Sequence, residues 1–214
     1  MPVPNFEGEK SAMREAEKIA QEAEDDPTQA IAHSMTLPVK LGTGGPGFMS
    51  PRAEALESIA RANVKKNTAG AEQALSELRK VAGDVPGPAW ARYLAAAADL
   101  YLQMEEKANA EKTIAEGFAA ADRLLESDIN PDNPNTGLKA WWPSADAYRR
   151  FIEIETKISH GATLNALKEI KDPEIQATES IMFARSLLGL PLKRSRVVEK
   201  RKDTNMVMVN DINN

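Results

Sequence analysis

The sequence predicts an all-α protein made of helical hairpins packed side by side, and three observations carry that prediction. Apolar residues recur at spacings of three and four through most of the chain, so they line single faces of helices. Runs of alternating Val, Ile, Thr and Tyr, which a half-buried strand would need, are nearly absent. Only 5% of residues are aromatic while Ala is abundant, which suits close helix packing through small side chains better than a bulky sheet core. At 214 residues the chain is long enough to bury a sizeable core.

Met1 to Gly8, with two prolines and a glycine, reads as a loosely held arm. From Glu9 to Glu24 a helix is expected, with Met13, Ala16, Ile19, Ala20 and Ala23 on one face. Asp26 before Pro27 is a start signal, because a carboxylate caps free N–H groups and proline fits the first helical position. That short helix should run to about Thr36. Pro38 to Ser50, rich in glycine, is a loop longer than packed helices usually need. Ser50 and Pro51 then open a helix carrying Leu56, Ile59, Ala60 and Val64. Thr68 is the expected cap of the next, whose stripe is Ala71, Ala74, Leu75, Leu78 and Ala82.

A central hairpin follows from Gly87 to Ser127. Its first helix carries Trp90, Tyr93, Leu94, Ala97, Leu100, Tyr101 and Met104; after Glu105, Glu106 and Lys107 the second carries Ala110, Ile114, Phe118, Ala121, Leu124 and Leu125. Ser127 to Ala140 is a second long loop, rich in Asn, Asp and Pro. Pro143 starts a helix with Tyr148, Phe151, Ile152, Ile154 and Ile158. Gly161 permits a turn before a short helix with Leu164, Leu167 and Ile170, and Asp172 with Pro173 opens the last, which should reach Leu188 and stop at Gly189 and Pro191.

One internal echo stands apart from the periodicity. Pro51-Arg-Ala-Glu-Ala55-Leu-Glu57-Ser58-Ile59 aligns with Pro173-Glu-Ile-Gln-Ala177-Thr-Glu179-Ser180-Ile181, and each copy follows a long helix and a short one. Duplication in a stacked-repeat architecture accounts for it. With its paired helices, the aromatic segment Trp90 to Tyr101 and the Asn109-Ala110-Glu111-Lys112 entry to the partner helix, the chain resembles the tetratricopeptide-like helical repeats from Glu9 to Leu188. It departs from them in showing no constant period of about 34 residues and in lacking the full Trp, Leu, Gly, Tyr, Ala, Phe and Pro pattern. The resemblance implies a short right-handed α-α superhelix of about eight helices and a binding scaffold, without specific ligand-binding residues. The expected organisation is an arm at 1–8, a repeat domain at 9–190 with units 9–64, 68–127 and 141–189, and a basic tail at 191–214.

The net charge of −5 is unevenly spread. Lys193 to Lys202 holds six basic residues against the single Glu199, a surplus of five that leaves −10 on the remainder. An acidic body argues against nucleic acid as partner except through the tail, and a basic run of this kind is ordinarily a solvated tail. Met206 to Val209 beyond it could add to a partner's surface. The absence of Cys removes disulfides, thiolate nucleophiles and Cys-ligated zinc. No window of about 18 uncharged apolar residues exists, so no spanning helix is expected. Met1 to Lys10 lacks a secretory profile, which favours a cytoplasmic protein or a trimmed chain.

No motif for chemistry is complete. Gly42-Thr-Gly44-Gly-Pro-Gly47 satisfies G-x-G-x-x-G, but that fingerprint needs a preceding strand and a helix starting within it. Here Pro46 interrupts, and a connector is the better reading. Asp128 to Asn135 spaces oxygens as a calcium loop does, yet Asn133 stands where an EF-hand needs Gly and Lys139 where it needs Glu, so Asx turns are expected instead. His33 and His160 sit at ends of short helices without metal-ligand spacing; a place near a helix C-terminal dipole suits both. Ser58 and Ser180 stand out only through the echo, and the carboxylate pairs Asp25 with Asp26 and Glu153 with Glu155 do not face one another.

The expected function is therefore non-enzymatic protein or peptide binding, or assembly of a larger complex, on a preformed concave face. The candidate contacts are Arg92, Tyr93, Trp142 and Arg149; Tyr93 and Trp90 also fit as packing residues. In Trp141-Trp142-Pro143, one ring can pack beneath the preceding loop while the other anchors a partner. No catalytic residue, metal ligand or cofactor is assigned, and a homo- or hetero-oligomer is compatible. The rival readings are a ligand-sensing or enzymatic accessory domain using Gly42 to Gly47, and a structural piece of a longer repeat protein.

Overall fold

The computed structural model describes residues 6–23, 25–39, 50–85, 87–132 and 135–190, with side chains from residue 11 onward. Among them are nine α-helices, one 3-10 turn and no strand. The all-α expectation therefore holds for the described residues, with one helix more than the eight expected. Residues 1–5 of the expected arm at 1–8, the glycine loop Gly42 to Gly47, Asn133 and the tail from 191 lie outside the described residues.

The helices are α1 Phe6–Glu22, α2 Pro27–Ser34, α3 Pro51–Asn63, α4 Thr68–Asp84 and α5 Pro88–Gln103. Then come α6 Lys107–Asp128, the 3-10 turn Lys139–Trp141, α7 Pro143–Thr156, α8 His160–Glu169 and α9 Pro173–Leu187. Three start signals act as read: Asp26, Ser50 and Asp172 each accept backbone N–H groups at the mouth of a proline-opened helix, from Gln29 at 3.0 Å, Ala53 at 3.2 Å and Ile175 at 3.1 Å. Each such cap contributes about 1 kcal/mol.

Local corrections concern helix ends. α1 begins at Phe6 and not at Glu9, since a glycine near a helix start costs only about 1 kcal/mol. The cap of α4 is Asn67, whose side-chain oxygen accepts the Gly70 N–H at 3.0 Å, and Thr68 is the first helical residue. Gly161 lies inside α8, which Ser159 caps, so His160 starts that helix and stands at its N-terminal end, not at its C-terminal end. Its ring instead meets Phe183 edge-on at 6.1 Å.

Two helices stop in the same way. Gly189 takes φ +63° after α9, donating to the Ser186 carbonyl while Leu190 donates to that of Arg185. Glu105 takes the same left-handed conformation after α5, with Glu105 bonded to Leu102 and Glu106 to Tyr101. A non-glycine residue there costs roughly 1–2 kcal/mol, offset by the satisfied helix-end carbonyls.

The packing follows chain order. α1 lies against α3, α3 against α5, α5 against α7 and α7 against α9, and each even-numbered helix nests against the two odd-numbered helices that flank it. One core runs through this arrangement from Ala16 and Ile19 in α1 to Phe183 in α9. Alanine dominates it, with Ala53, Ala55, Ala60, Ala71, Ala74, Ala97, Ala98, Ala120 and Ala121 all fully buried. Small side chains let helix axes approach closely. The largest fully buried side chains, Tyr93, Tyr101, Tyr148 and Phe151, fill the middle at α5 and α7.

Candidate interaction surface

The four candidate contacts are joined to their own neighbours, and three are buried. Tyr93 is 0% exposed. Its hydroxyl accepts the Ser50 N–H at 3.1 Å and donates to Glu54 at 2.8 Å, tying α5 to the capped start of α3. Burial pushes that hydroxyl up to about 12; the Ser50 bond opposes the shift and Glu54 adds to it, so it remains a donor. Tyr93→Phe should therefore cost about 1–2 kcal/mol, chiefly by stranding the Ser50 N–H. A thermal melt should fall by roughly 2–8 °C, and an unchanged melt would show that Ser50 finds another acceptor.

Arg92 is the one candidate with substantial side-chain exposure, 44%. Its guanidinium stacks 4.6 Å from the Tyr93 ring centroid and pairs with Glu54, while Glu57 stands 3.9 Å away. Trp142 is the inner ring of its pair. Its indole N–H donates to the Gly137 carbonyl at 2.8 Å beneath the preceding loop, whereas Trp141 is 47% exposed. The exposed ring expected of the pair is thus Trp141, because successive residues at the 3-10 turn point in different directions. In the preceding loop, Asn130 and Asn135 accept the N–H groups of Asp132 and Gly137, which are Asx turns.

Arg149 joins three elements. Its Nη2 donates to Glu179 on α9 at 2.8 Å and to the Ala140 carbonyl of the 3-10 turn at 3.4 Å. The side chain is 11% exposed and Glu179 is 0% exposed. Glu179 Oε2 and Arg149 Nε and Nη1 find no hydrogen-bond partner among the described residues. Burial holds the Glu179 carboxyl above the ordinary range, against the opposing pull of Arg149. Beside this pair, Lys139 Nζ reaches Asp172 at 2.6 Å and Glu174 at 3.7 Å and lies 5.5 Å from the Trp142 ring centroid. These contacts fix the inner side of α9 to α7 and to the turn before it.

The outer side of α9 is different. Ile175, Glu179 and Phe183 are buried, while Ala177, Ile181, Ala184 and Leu188 are exposed on the opposite face, with Ile181 at 62% and Leu188 at 72%. Seven of the nine large apolar side chains exposed among the described residues lie from Leu138 to Leu190, so apolar exposure concentrates at this end of the stack. A helix apolar on two opposite faces is built to be sandwiched. The echo supplies the comparison. Ala55 and Ile59 of α3, which match Ala177 and Ile181, are wholly buried in a helix packed by α1, α2, α4 and α5. The main neighbours of α9 are α7, α8 and the 3-10 turn.

Sequence reasoning passed over this face because it named no stripe for α9, meeting Ile181 only in the echo and Leu188 only as the helix end. The signal was present: Ile175 and Phe183, with Glu179 between them, mark one face, and Ala177, Ile181, Ala184 and Leu188 form an apolar or small-residue row half a helix turn away. Among the described residues no group of three or more His, Cys, Asp or Glu could hold a metal ion. No described helix is long and apolar enough to cross a membrane. No protein-family model, no curated protein and no solved structure matches this chain.

Proposed function

We propose that this protein is a non-enzymatic helical scaffold that assembles with a protein partner through the outer face of α9. The single observation that carries the reading is the row Ala177, Ile181, Ala184 and Leu188, exposed on a helix whose other face is already in the core. A contiguous apolar face of this kind marks a protein contact. The reading also takes the nine helices as a short right-handed α-α superhelix of the tetratricopeptide-like kind. Its support is the regular packing of each odd-numbered helix on the next, with an even-numbered helix nested between.

In such a stack an uncovered terminal helix seats a further helix, just as α1 lies on α3. The partner chemistry that fits is an amphipathic helix with a small apolar stripe. Ile181→Asp tests this, because the side chain is 62% exposed and its loss should leave the melting temperature within about 2 °C. Proteins captured from the native source on the full chain are identified, purified and titrated against both forms. At least a tenfold loss of affinity in the variant is expected, and equal affinity would overturn the reading.

A further inference from the structure

We infer that α8 and α9 form a two-helix strap that opens from the stack as one unit, hinged between Lys157 and Ser159, while α1 to α7 stay folded. The inference goes beyond the reading of the outer α9 face and stands without it. Local stability follows the apolar surface that a segment buries on its neighbours. By that measure the strap is thinly held. α8 buries two of its 10 residues and α9 three of its 15, against eight of 14 in α7 and eight of 16 in α5. α3 is enclosed by α1, α2, α4 and α5, and α5 by α3, α4, α6 and α7, whereas α8 and α9 meet the rest of the stack mainly through α7 and the 3-10 turn.

The joint between α9 and α7 also differs in kind from the core of the stack, which alanine and large apolar side chains fill. At its centre is the Arg149 to Glu179 ion pair, and Glu179 is the one charged side chain with no exposure among the described residues. A buried pair that leaves Glu179 Oε2 and Arg149 Nε and Nη1 without partners contributes little against the hydration it gave up. Opening returns that hydration. Contacts inside the strap hold its two helices together: Gln176 Nε2 donates to the Leu167 and Lys168 carbonyls at 3.0 and 3.2 Å, and the His160 ring meets Phe183 edge-on. Before the hinge, Lys157 Nζ reaches Asp99 on α5 at 2.6 Å and fastens the end of α7 to the stack. The three residues from Lys157 to Ser159 that separate α7 from α8 are where the chain can turn. Opening bares the side of α7 on which α9 lies, so the strap governs access to it.

Native-state hydrogen exchange of the full chain, read amide by amide at low and rising guanidinium, tests this. The amides of α8 and α9 should exchange together and at least about 100-fold faster than the slowest amides of α5. Their rates should rise with denaturant, but less steeply than those of α5, because the opening exposes part of the surface that global unfolding exposes. Ile59→Val supplies a second arm. That side chain is 0% exposed in α3, whose neighbours are α1, α2, α4 and α5. Loss of its methyl should speed exchange at the slowest α5 amides about 2–12-fold and leave α8 and α9 unchanged, since the open state keeps α3 folded. Equal acceleration in both regions, or α8 and α9 amides as slow as those of α5, would show one cooperative unit and overturn the strap. Fast exchange in α9 that ignores denaturant would be fraying of a helix end, and would overturn it too. Fast exchange in α9 with α8 as slow as α5 would overturn the hinge.

Discussion

Gly117→Ala is expected to destabilise the fold by about 2–3 kcal/mol, because the added methyl overpacks a filled contact. Helix propensity alone gives the opposite sign, since Ala in a helix interior is favoured over Gly by about 1 kcal/mol. The contact decides the matter. Gly117 is buried in α6, and a Cβ placed there would fall within the ring of Phe151 on α7, nearest Cε1, with Cζ and Cδ1 scarcely further. That ring cannot retreat, being 0% exposed and packed on Phe118 at 6.0 Å between centroids. Phe118 in turn lies 6.5 Å from Tyr148. Either α6 and α7 part or the aromatic cluster shifts, and a melt should fall by roughly 4–12 °C. Phe151→Leu removes the two nearest of the clashing atoms, Cε1 and Cζ, so the double variant should be clearly less destabilised than the two single effects summed. Strict additivity, or a raised melt in Gly117→Ala, would mean that the helices separate without cost.

Local signals in the chain were legible and nonlocal ones were not, and the division follows the physics. Asp26-Pro27, Ser50-Pro51 and Asp172-Pro173 mark helix starts because cap and first turn lie within three residues of each other. The apolar period likewise belongs to one helix at a time. The bond from the Ser50 N–H to Tyr93 spans 43 positions and the Arg149 to Glu179 pair spans 30, and neither residue type announces such a partner. From the sequence Arg92 and Arg149 are therefore candidate contacts for a partner, although each stitches neighbouring odd-numbered helices together. The matched glutamates of the echo, Glu57 and Glu179, both lie near such an arginine. The echo showed that α3 and α9 are alike; only the packing shows that one is enclosed and the other is not.

Arg149→Met is expected to cost about 3–5 kcal/mol at neutral pH, because it leaves Glu179 charged and unpaired in the core. The loss should depend on pH in a definite direction. Burial already holds the Glu179 carboxyl above its ordinary value against the pull of Arg149, and without the guanidinium it rises further. A carboxyl whose folded-state pKa exceeds its unfolded value favours folding in its protonated form. That contribution is full below the unfolded value near 4.3 and disappears as pH rises through the folded value. The variant should accordingly recover stability relative to the parent as the solution is acidified from pH 7 towards 5. Adding Glu179→Met removes the buried charge, and two apolar side chains of similar volume can serve as well as an ion pair there. The double variant should regain most of the lost stability and lose the acid-linked recovery. Because Arg149 also donates to the Ala140 carbonyl, part of the cost should persist, of the size of one hydrogen bond, about 1 kcal/mol. Additive losses in the double variant, or a single-variant loss unchanged between pH 7 and 5, would show that Glu179 reaches water once Arg149 is gone. The attachment of α9 to the stack would then rest on its buried apolar side chains, Ile175 and Phe183 among them.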